Sequence, residues 1–306
     1  MIEVVALGEL LIDMVSTQRN VSLFNAPAFE PKAGGAPANV AVGVRRLGKA
    51  SAFIGKVGAD DFGVGLRAVL EAEGVETRGL LTDPHHLTTL AFVSLSDSGS
   101  PAFAFAAGAH TTLTPDEVDV GLIAGARIFH FGSVTLTQDP VRSATLYALR
   151  LAKQAGVVCS YDMNWRPALW PDGDPSLAMS VMPEVDILKM SEGELALVTG
   201  YEDPREGLAA IDLPAPLIVV TMAEKGCLYR FNGQIYAQSV PPVTNVVDAT
   251  GAGDAFMAAL LASLPPLEDL NAGILAQLTL RACKAGAVAT TRRGAIPALP
   301  FPHDLA

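Results

Sequence analysis

Nowhere in the 306 residues is there a run of about twenty apolar residues, so no segment reads as a membrane-spanning helix. Positive charge is scarce as well: 21 Lys and Arg stand against 32 Asp and Glu, a formal net charge of −11. Nucleic-acid binding needs the opposite sign and is set aside. An anionic nucleotide binds such a chain only where backbone N–H groups or a few cations reverse the field locally. There are three cysteines, Cys159, Cys227 and Cys283, an odd number and widely spaced. They form neither a zinc pattern nor a disulfide framework, and buried free thiols are expected. The five histidines include the pair His85 and His86 but no HExxH spacing, which argues against a histidine-built metal centre. The N-terminus enters a strand pattern at once and lacks the basic and cleavage regions of a signal peptide, so a cytoplasmic protein is expected. No internal repeat, low-complexity tract or long linker is present.

What is there is apolar: half of the residues are hydrophobic and 17% are charged, enough for a sizeable core. Short apolar runs at Val4–Leu7, Ala52–Lys56, Ile128–Gly132, Val157–Asp162, Asp186–Met190 and Leu217–Met222 alternate with helical patterns such as Arg142–Lys153. That alternation predicts βαβ units and a mainly parallel sheet with helices on both faces. Two places break it. Alternating runs at Thr88–Leu95 and Ala102–Phe105 flank Asp97–Pro101 and predict an antiparallel hairpin. The aperiodic stretch from Asp13 to Lys32 is available for further strands of the same small sheet. A second hairpin is expected from Cys227–Phe231 and Gln234–Gln238, joined by Asn232-Gly233. The reading is one α/β domain over residues 1–306 with a small β appendage, its strands within about 13–33 and 88–107.

The most informative segment is VVDATGAGDAFMAALLASL, Val246 to Leu264. Glycines at 251 and 253 precede a helix-forming run that begins around Asp254 and stops at Pro265-Pro266. Glycines ahead of a helix let several N–H groups converge on an anion, and the helix dipole adds positive charge there. A carboxylate at the same place competes with a static anion. It makes sense if the anion is a phosphoryl group in transit and Asp254 faces the attacking hydroxyl; otherwise Asp254 is an N-cap. The segment is not GxGxxG, and GxxxxGK[ST] occurs nowhere, so the familiar P-loop is absent.

DATGAGDAF resembles the C-terminal signature of the ribokinase-like (PfkB) carbohydrate kinases, and GGAPANVAVGVRRLG, Gly34 to Gly48, resembles their N-terminal glycine-rich signature. The similarity extends through FIGKVGADDFG, NWRPALW and TTRRGAIPALP, covering nearly the whole chain, and is greatest to the fructokinases of the family. It implies a doubly wound ribokinase-like fold with a small β-sheet lid. It also implies an ATP-dependent kinase in which Asp254 is the catalytic base and the N–H groups of Gly251, Ala252 and Gly253 form an anion hole. Phosphoryl transfer needs positioning and charge stabilisation, which is what such a site supplies. A sugar hydroxyl is too weak an acid to be ionised beforehand, so the base orients it and takes its proton as the bond forms.

On the sugar side, Pro37 suits N1 of a helix and Gly48 its stop, while Gly34 and Gly35 leave a ligand room near the backbone. Asn39, in the first turn, has both donor and acceptor for sugar hydroxyls or for a turn. Asp13, just past the first strand, matches the family's sugar-gripping aspartate; by residue type alone it is equally a solvated loop carboxylate. Arg166, after the strand ending at Asp162, matches an arginine near the transferred phosphate, and a surface salt bridge is its plainer role. Around the nucleotide, the resemblance assigns Lys189, Glu194, Thr221, Gly226 and Cys283, the last equally readable as core. Ser191 replaces a family asparagine, and Ala223 stands where glycine is common. Asp248 and Thr250 match contributors to a monovalent cation site that the loop around Val288–Gly294 would complete. Expected ligands are ATP with Mg²⁺, a small sugar, and K⁺ as an activator; the expected assembly is a homodimer through the lid. Fructose is the first candidate substrate and 2-keto-3-deoxygluconate the second. A catalytically silent sugar-binding protein on this fold is the alternative from another class.

Overall fold

A computed structural model of the chain describes residues 1–94, 102–170, 173–240 and 242–306. Thirteen strands among these residues form two sheets. In chain order they are β1 (Ile2–Leu7), β2 (Leu11–Ser16), β3 (Phe29–Gly34), β4 (Ser51–Gly58), β5 (Glu76–Asp83), β6 (Leu90–Ser94), β7 (Ala102–Ala106), β8 (Ala126–Gly132), β9 (Val158–Asp162), β10 (Ile187–Ser191), β11 (Leu217–Thr221), β12 (Cys227–Phe231) and β13 (Gln234–Gln238).

The large sheet has nine strands in the order β13-β12-β11-β10-β9-β8-β1-β4-β5. From β11 to β5 every pairing is parallel, and β12 and β13 close one edge as an antiparallel hairpin. The turn of that hairpin is the expected Asn232-Gly233, both with positive φ (49° and 76°), the type I′ geometry that matches strand twist. Alternate residues serve opposite faces: Val4 and Ala6 of β1 enter one core, Val5 and Leu7 the other. In β11, Leu217 and Val219 face the first core and Ile218 and Val220 the second. A sheet buried on both sides explains why its strands read as unbroken apolar runs.

From β1 the chain moves outward to β4 and β5, then returns to place β8 on β1's other side. The order therefore reverses between β1 and β8, and in open α/β sheets ligands bind beyond the carboxyl ends of strands at such a switch point. The N-terminus of the Ala36–Arg46 helix lies over the end of β1, where a Cβ on Gly8 would come within 2.3 Å of Pro37.

The small sheet has the order β3-β2-β6-β7, with β2 and β6 parallel and the outer pairs antiparallel. The β6–β7 hairpin is as expected, and its Asp97–Pro101 turn lies outside the described residues. Phe29 meets Phe92 edge-on at 5.4 Å, and Phe105 meets His110 at 5.6 Å, so the appendage carries its own aromatic packing. Two local placements differ from the sequence reading. Asp13 lies within β2 rather than in a loop, because its alternation with Ile12 and Met14 makes it a strand residue. Pro37 is the second residue of its helix, after Ala36 and the N-cap Gly35.

Candidate active site

Two helices bring the central residues together. Gly251 is the N-cap of the Ala252–Ser263 helix, in the left-handed region at φ 80°. A Cβ there would lie 2.9 Å from Ala295 Cα, so both backbone and space require glycine. Asp254 is thus the third helical residue and not the cap, because the chain turns into the helix two residues earlier than its composition indicates. Its side chain looks across to the Ala36–Arg46 helix, where Asn39 Nδ2 donates to Asp254 Oδ2 at 2.7 Å. Both residues are buried.

Burial above all, with neighbouring Asp162, pushes the Asp254 carboxyl up to about 6 against the pull of Asn39, Lys189 and Arg166. A carboxylate with that value, inside a protein and at a helix N-terminus, is suited to accept a proton near neutrality. Lys189 Nζ sits between both Asp162 oxygens at 3.0 Å and lies 3.1 Å from where a Gly253 Cβ would be. Burial works against the Lys189 charge, but Asp162 and Glu194 outweigh it and hold the amine above its usual value. The glycine at 253 therefore brings the helix N-terminus against a fixed cation, a combination that favours an anion. Of the three N–H groups expected to form an anion hole, that of Ala252 is turned onto Ala249 O at 3.2 Å.

The residues expected to hold the sugar lie within the field of Asp254 and Arg166. Asp13 of β2, whose register partner is Lys32, reaches diagonally to Gly34 of β3, so closely that a Cβ on Gly34 would lie 2.2 Å from Asp13 Oδ2. Burial, then the charges of Asp254 and Asp248, push the Asp13 carboxyl up to about 7, with Arg166 opposing. Gly35, at φ 109°, packs on the carbonyl of Glu9. Arg166 is exposed, and its guanidinium lowers Asp254, Asp13 and Glu9 together. Its Nη1 donates to Trp165 O at 3.2 Å, and a guanidinium acting on three carboxylates without a salt bridge to any of them among the described residues is poised for an anionic group.

Glu9 was not singled out from the sequence, although it stands in the same GELLID segment as Asp13. It is 3% exposed, and burial, with Asp254, pushes it up to about 7. Asp162 was likewise read only as a strand end; nothing in the spacing shows a partner 27 residues away.

The nucleotide-side residues are more structural than expected. Glu194 Oε1 accepts from Trp165 N at 2.6 Å, and Oε2 accepts from Ser191 N at 2.7 Å. Ser191, which departs from the family's asparagine, is the N-cap of the Glu192–Thr199 helix and completes a capping box with Glu194. Thr221 ends β11, and its hydroxyl reaches Met190 O at 3.4 Å. Gly226 is required by its φ of 91° and by Gln238 O, 2.0 Å from where a Cβ would stand. Ala223 adopts φ 49°, which accounts for glycine being the more comfortable residue there. Cys283 is buried with its sulfur 3.7 Å from that of Cys227, and all three cysteines are buried free thiols as expected.

Asp248 braces the loop before Gly251: Oδ1 accepts from Thr250 N and Oγ1, and Oδ2 from Gly294 N at 2.9 Å. Burial opposes its charge, yet these donors hold it below the usual carboxylate range. Thr290 O accepts from both Val247 and Asp248, so the loop around Val288–Gly294 does meet this segment. Among the described residues no cluster of three His, Cys, Asp or Glu is arranged to hold a metal ion.

Residues 1–302 match the pfkB family carbohydrate kinase description. The chain is 44% identical to a probable fructokinase-7 of Arabidopsis thaliana, over 97% of this chain and 89% of the relative. Among solved structures it is similar to a Xylella fastidiosa fructokinase with bound ATP, at a TM-score of 0.88 and 30% identity over 99% of this chain and 96% of that one. It is equally similar to a Vibrio cholerae fructokinase with fructose, ADP and calcium bound, at a TM-score of 0.88 and 32% identity over 100% and 98% of the two chains. With its sheet order, its glycine-led helix N-terminus and these matches agreeing along the whole length, the chain belongs to the pfkB family of carbohydrate kinases.

Proposed function

We propose that the chain transfers the γ-phosphoryl group of ATP to a primary hydroxyl of fructose. The observation that carries the reading is the Asn39–Asp254 contact, which aims a buried base at the cleft where Asp13 and Gly34 meet. Asp13 and Asn39 hold the sugar, with Gly34 and Gly35 leaving room for it. Asp254 orients the reacting hydroxyl and takes its proton as the oxygen–phosphorus bond forms. The amides of Gly251 and Gly253, with Lys189 behind them and Arg166 across the cleft, receive the charge of the transferred group. Thr221, Gly226 and Cys283 shape the nucleotide side, while Glu194 holds the Trp165 and Ser191 segments that frame it.

Magnesium arrives with the nucleotide on this reading. The Glu194 and Asp162 oxygens are already engaged, which suits an ion held mainly by phosphate oxygens and water. It supplies charge neutralisation when bound. Asp248, Thr250 and the loop around Val288–Gly294 are the proposed seat of a potassium ion. The half-buried Phe92, Phe103 and Phe105 of the small sheet support a homodimer through the lid, which light scattering at micromolar concentration tests. No helix among the described residues is long and apolar enough to cross a membrane, and the cytoplasm is the proposed location.

A coupled ADP-release assay over fructose, 2-keto-3-deoxygluconate, ribose, glucose and nucleosides tests the substrate. Fructose is expected to give the highest kcat/KM, and a higher value for any other sugar rejects it. Heat of fructose binding without product would mark a silent binder.

A further inference from the structure

The helix that carries Asn39 begins at a residue that cannot cap it. Gly35 occupies the N-cap position and makes no side-chain cap, although the first amides of a helix lack partners within it. The acceptor comes from another element: Glu9, just past the end of β1, takes Ala36 N–H on Oε1 at 2.9 Å. Main chain reinforces the contact, since a Cβ on Gly35 would lie 2.3 Å from Glu9 O. From this start Asn39 N–H reaches Gly35 O at 2.9 Å, and Asn39 Nδ2 reaches Asp254.

We propose that Glu9 is a positioning residue of the kinase: by holding Ala36 through Oε1 it fixes the first turn of the Ala36–Arg46 helix and, through Asn39, the aim of Asp254. Reach is what the role requires, and charge is not. Among the described residues Oε2 is buried with no hydrogen-bond partner, and Asp254 and Arg166 are the charged groups that act on the carboxyl. A proton on Oε2 relieves that burial while Oε1 goes on accepting from Ala36. The inference rests on the kinase reading above, and the two fail separately.

Two substitutions divide length from charge. Glu9→Gln keeps a carbonyl at full reach without the charge; Glu9→Asp keeps the charge one methylene short of Ala36. For each, kcat and the fructose KM are measured, with the fructose Kd by calorimetry. Glu9→Gln is expected within about threefold of wild-type kcat. Glu9→Asp is expected to lose about tenfold or more in kcat, since small misplacements of a reacting group cost that much, with the fructose Kd weakened as well because Asn39 also holds the sugar. In an Asn39→Ala background the Glu9→Asp loss should disappear, because the relay is already broken. A fully active Glu9→Asp, a Glu9→Gln as impaired as Glu9→Asp, or full additivity with Asn39→Ala overturns the proposal. Should Glu9→Asp not fold, Glu9→Gln decides alone, full activity supporting the proposal and a tenfold loss ending it. If the wild type phosphorylates no sugar, the kinase reading falls, and Glu9 is judged by Ala36 amide exchange: faster in Glu9→Asp than in Glu9→Gln supports the cap, equal rates reject it.

Discussion

Gly43 and Ala258 lie against each other where the two site helices pack: a Cβ on Gly43 would stand 2.5 Å from Ala258 Cβ. Each lies four residues after a site residue, Gly43 after Asn39 and Ala258 after Asp254, and so on the same helix face one turn on. The spacing that only glycine allows is therefore also the spacing that lets Asn39 reach Asp254. Gly43→Ala gains about 1 kcal/mol of helix propensity and costs about 1–3 kcal/mol in overpacking, leaving a small net change in stability. Activity should respond more clearly, with kcat falling about tenfold as the helices part. Adding Ala258→Gly should restore it, and a double variant no better than the single one would separate the crossing from the chemistry.

Asp254→Asn is expected to lower kcat by about 10²–10⁴ while ATP still binds. The same change should stabilise the fold at about pH 8. The folded carboxyl sits near 6 against an ordinary 3.8, so the fold prefers the protonated form. Its contribution is complete below the ordinary value and is lost as pH rises through about 6. Neutral asparagine removes that penalty, worth on the order of 1–3 kcal/mol. Melting curves at about pH 8 and about pH 3.5 check this, and a gain of equal size at both would reject the electrostatic account.

The pH profile carries a separate sign. Asp254 must be ionised to accept a proton, so kcat/KM should fall as pH drops through about 6. The Arg166 guanidinium lowers Asp254, Asp13 and Glu9. Arg166→Ala should therefore move the acid limb to higher pH as well as reduce kcat. A limb that stays in place would take Arg166 out of the field of the base.

Gly34→Ala should raise the fructose KM about tenfold or more and leave the ATP KM unchanged. The added methyl meets the Asp13 carboxylate, whose free end can swing aside, so the fold yields and the sugar contact is lost. Asp13→Ala should have the same signature, since charged hydrogen bonds contribute roughly 1.5–3 kcal/mol each. Steady-state kinetics with each substrate varied in turn decide it; an unchanged fructose KM in both variants would make Asp13 a bystander.

The large sheet was legible because strands buried on both faces must be continuously apolar, as LIVVT at β11 is. Edge strand β5, ETRGLLTD, was not, since only Gly79, Leu80 and Asp83 are buried, Leu81 is partly covered, and Glu76, Arg78 and Thr82 face water. Asn232-Gly233 announced its turn through backbone chemistry alone. The site was legible where glycines are needed, at 34, 35, 251 and 253, because close approach leaves a mark in composition. Glu9 and Asp162 were silent: their partners Ala36 and Lys189 are each 27 residues distant, joined by the fold and not by spacing. Glu194 matches a nucleotide-side glutamate by residue type and also closes a capping box with Ser191, a second role that residue type alone does not separate from the first.

Asp13 belongs to the four-stranded sheet, whereas Asp254 lies in the first turn of a helix packed into a core of the nine-stranded one. Among the described residues the two sheets share no strand pair. On the reading proposed here, a sugar gripped by Asp13 and presented to Asp254 is a strut between two sheets that share no strand but meet in one core through Ile12, Met14, Ala33 and Leu90. A water molecule lacks the further hydroxyls by which Asp13 and Asn39 would hold a sugar while another is presented to Asp254. The choice between phosphorylating a sugar and wasting ATP then falls to those hydroxyls, and the substrate itself makes the test.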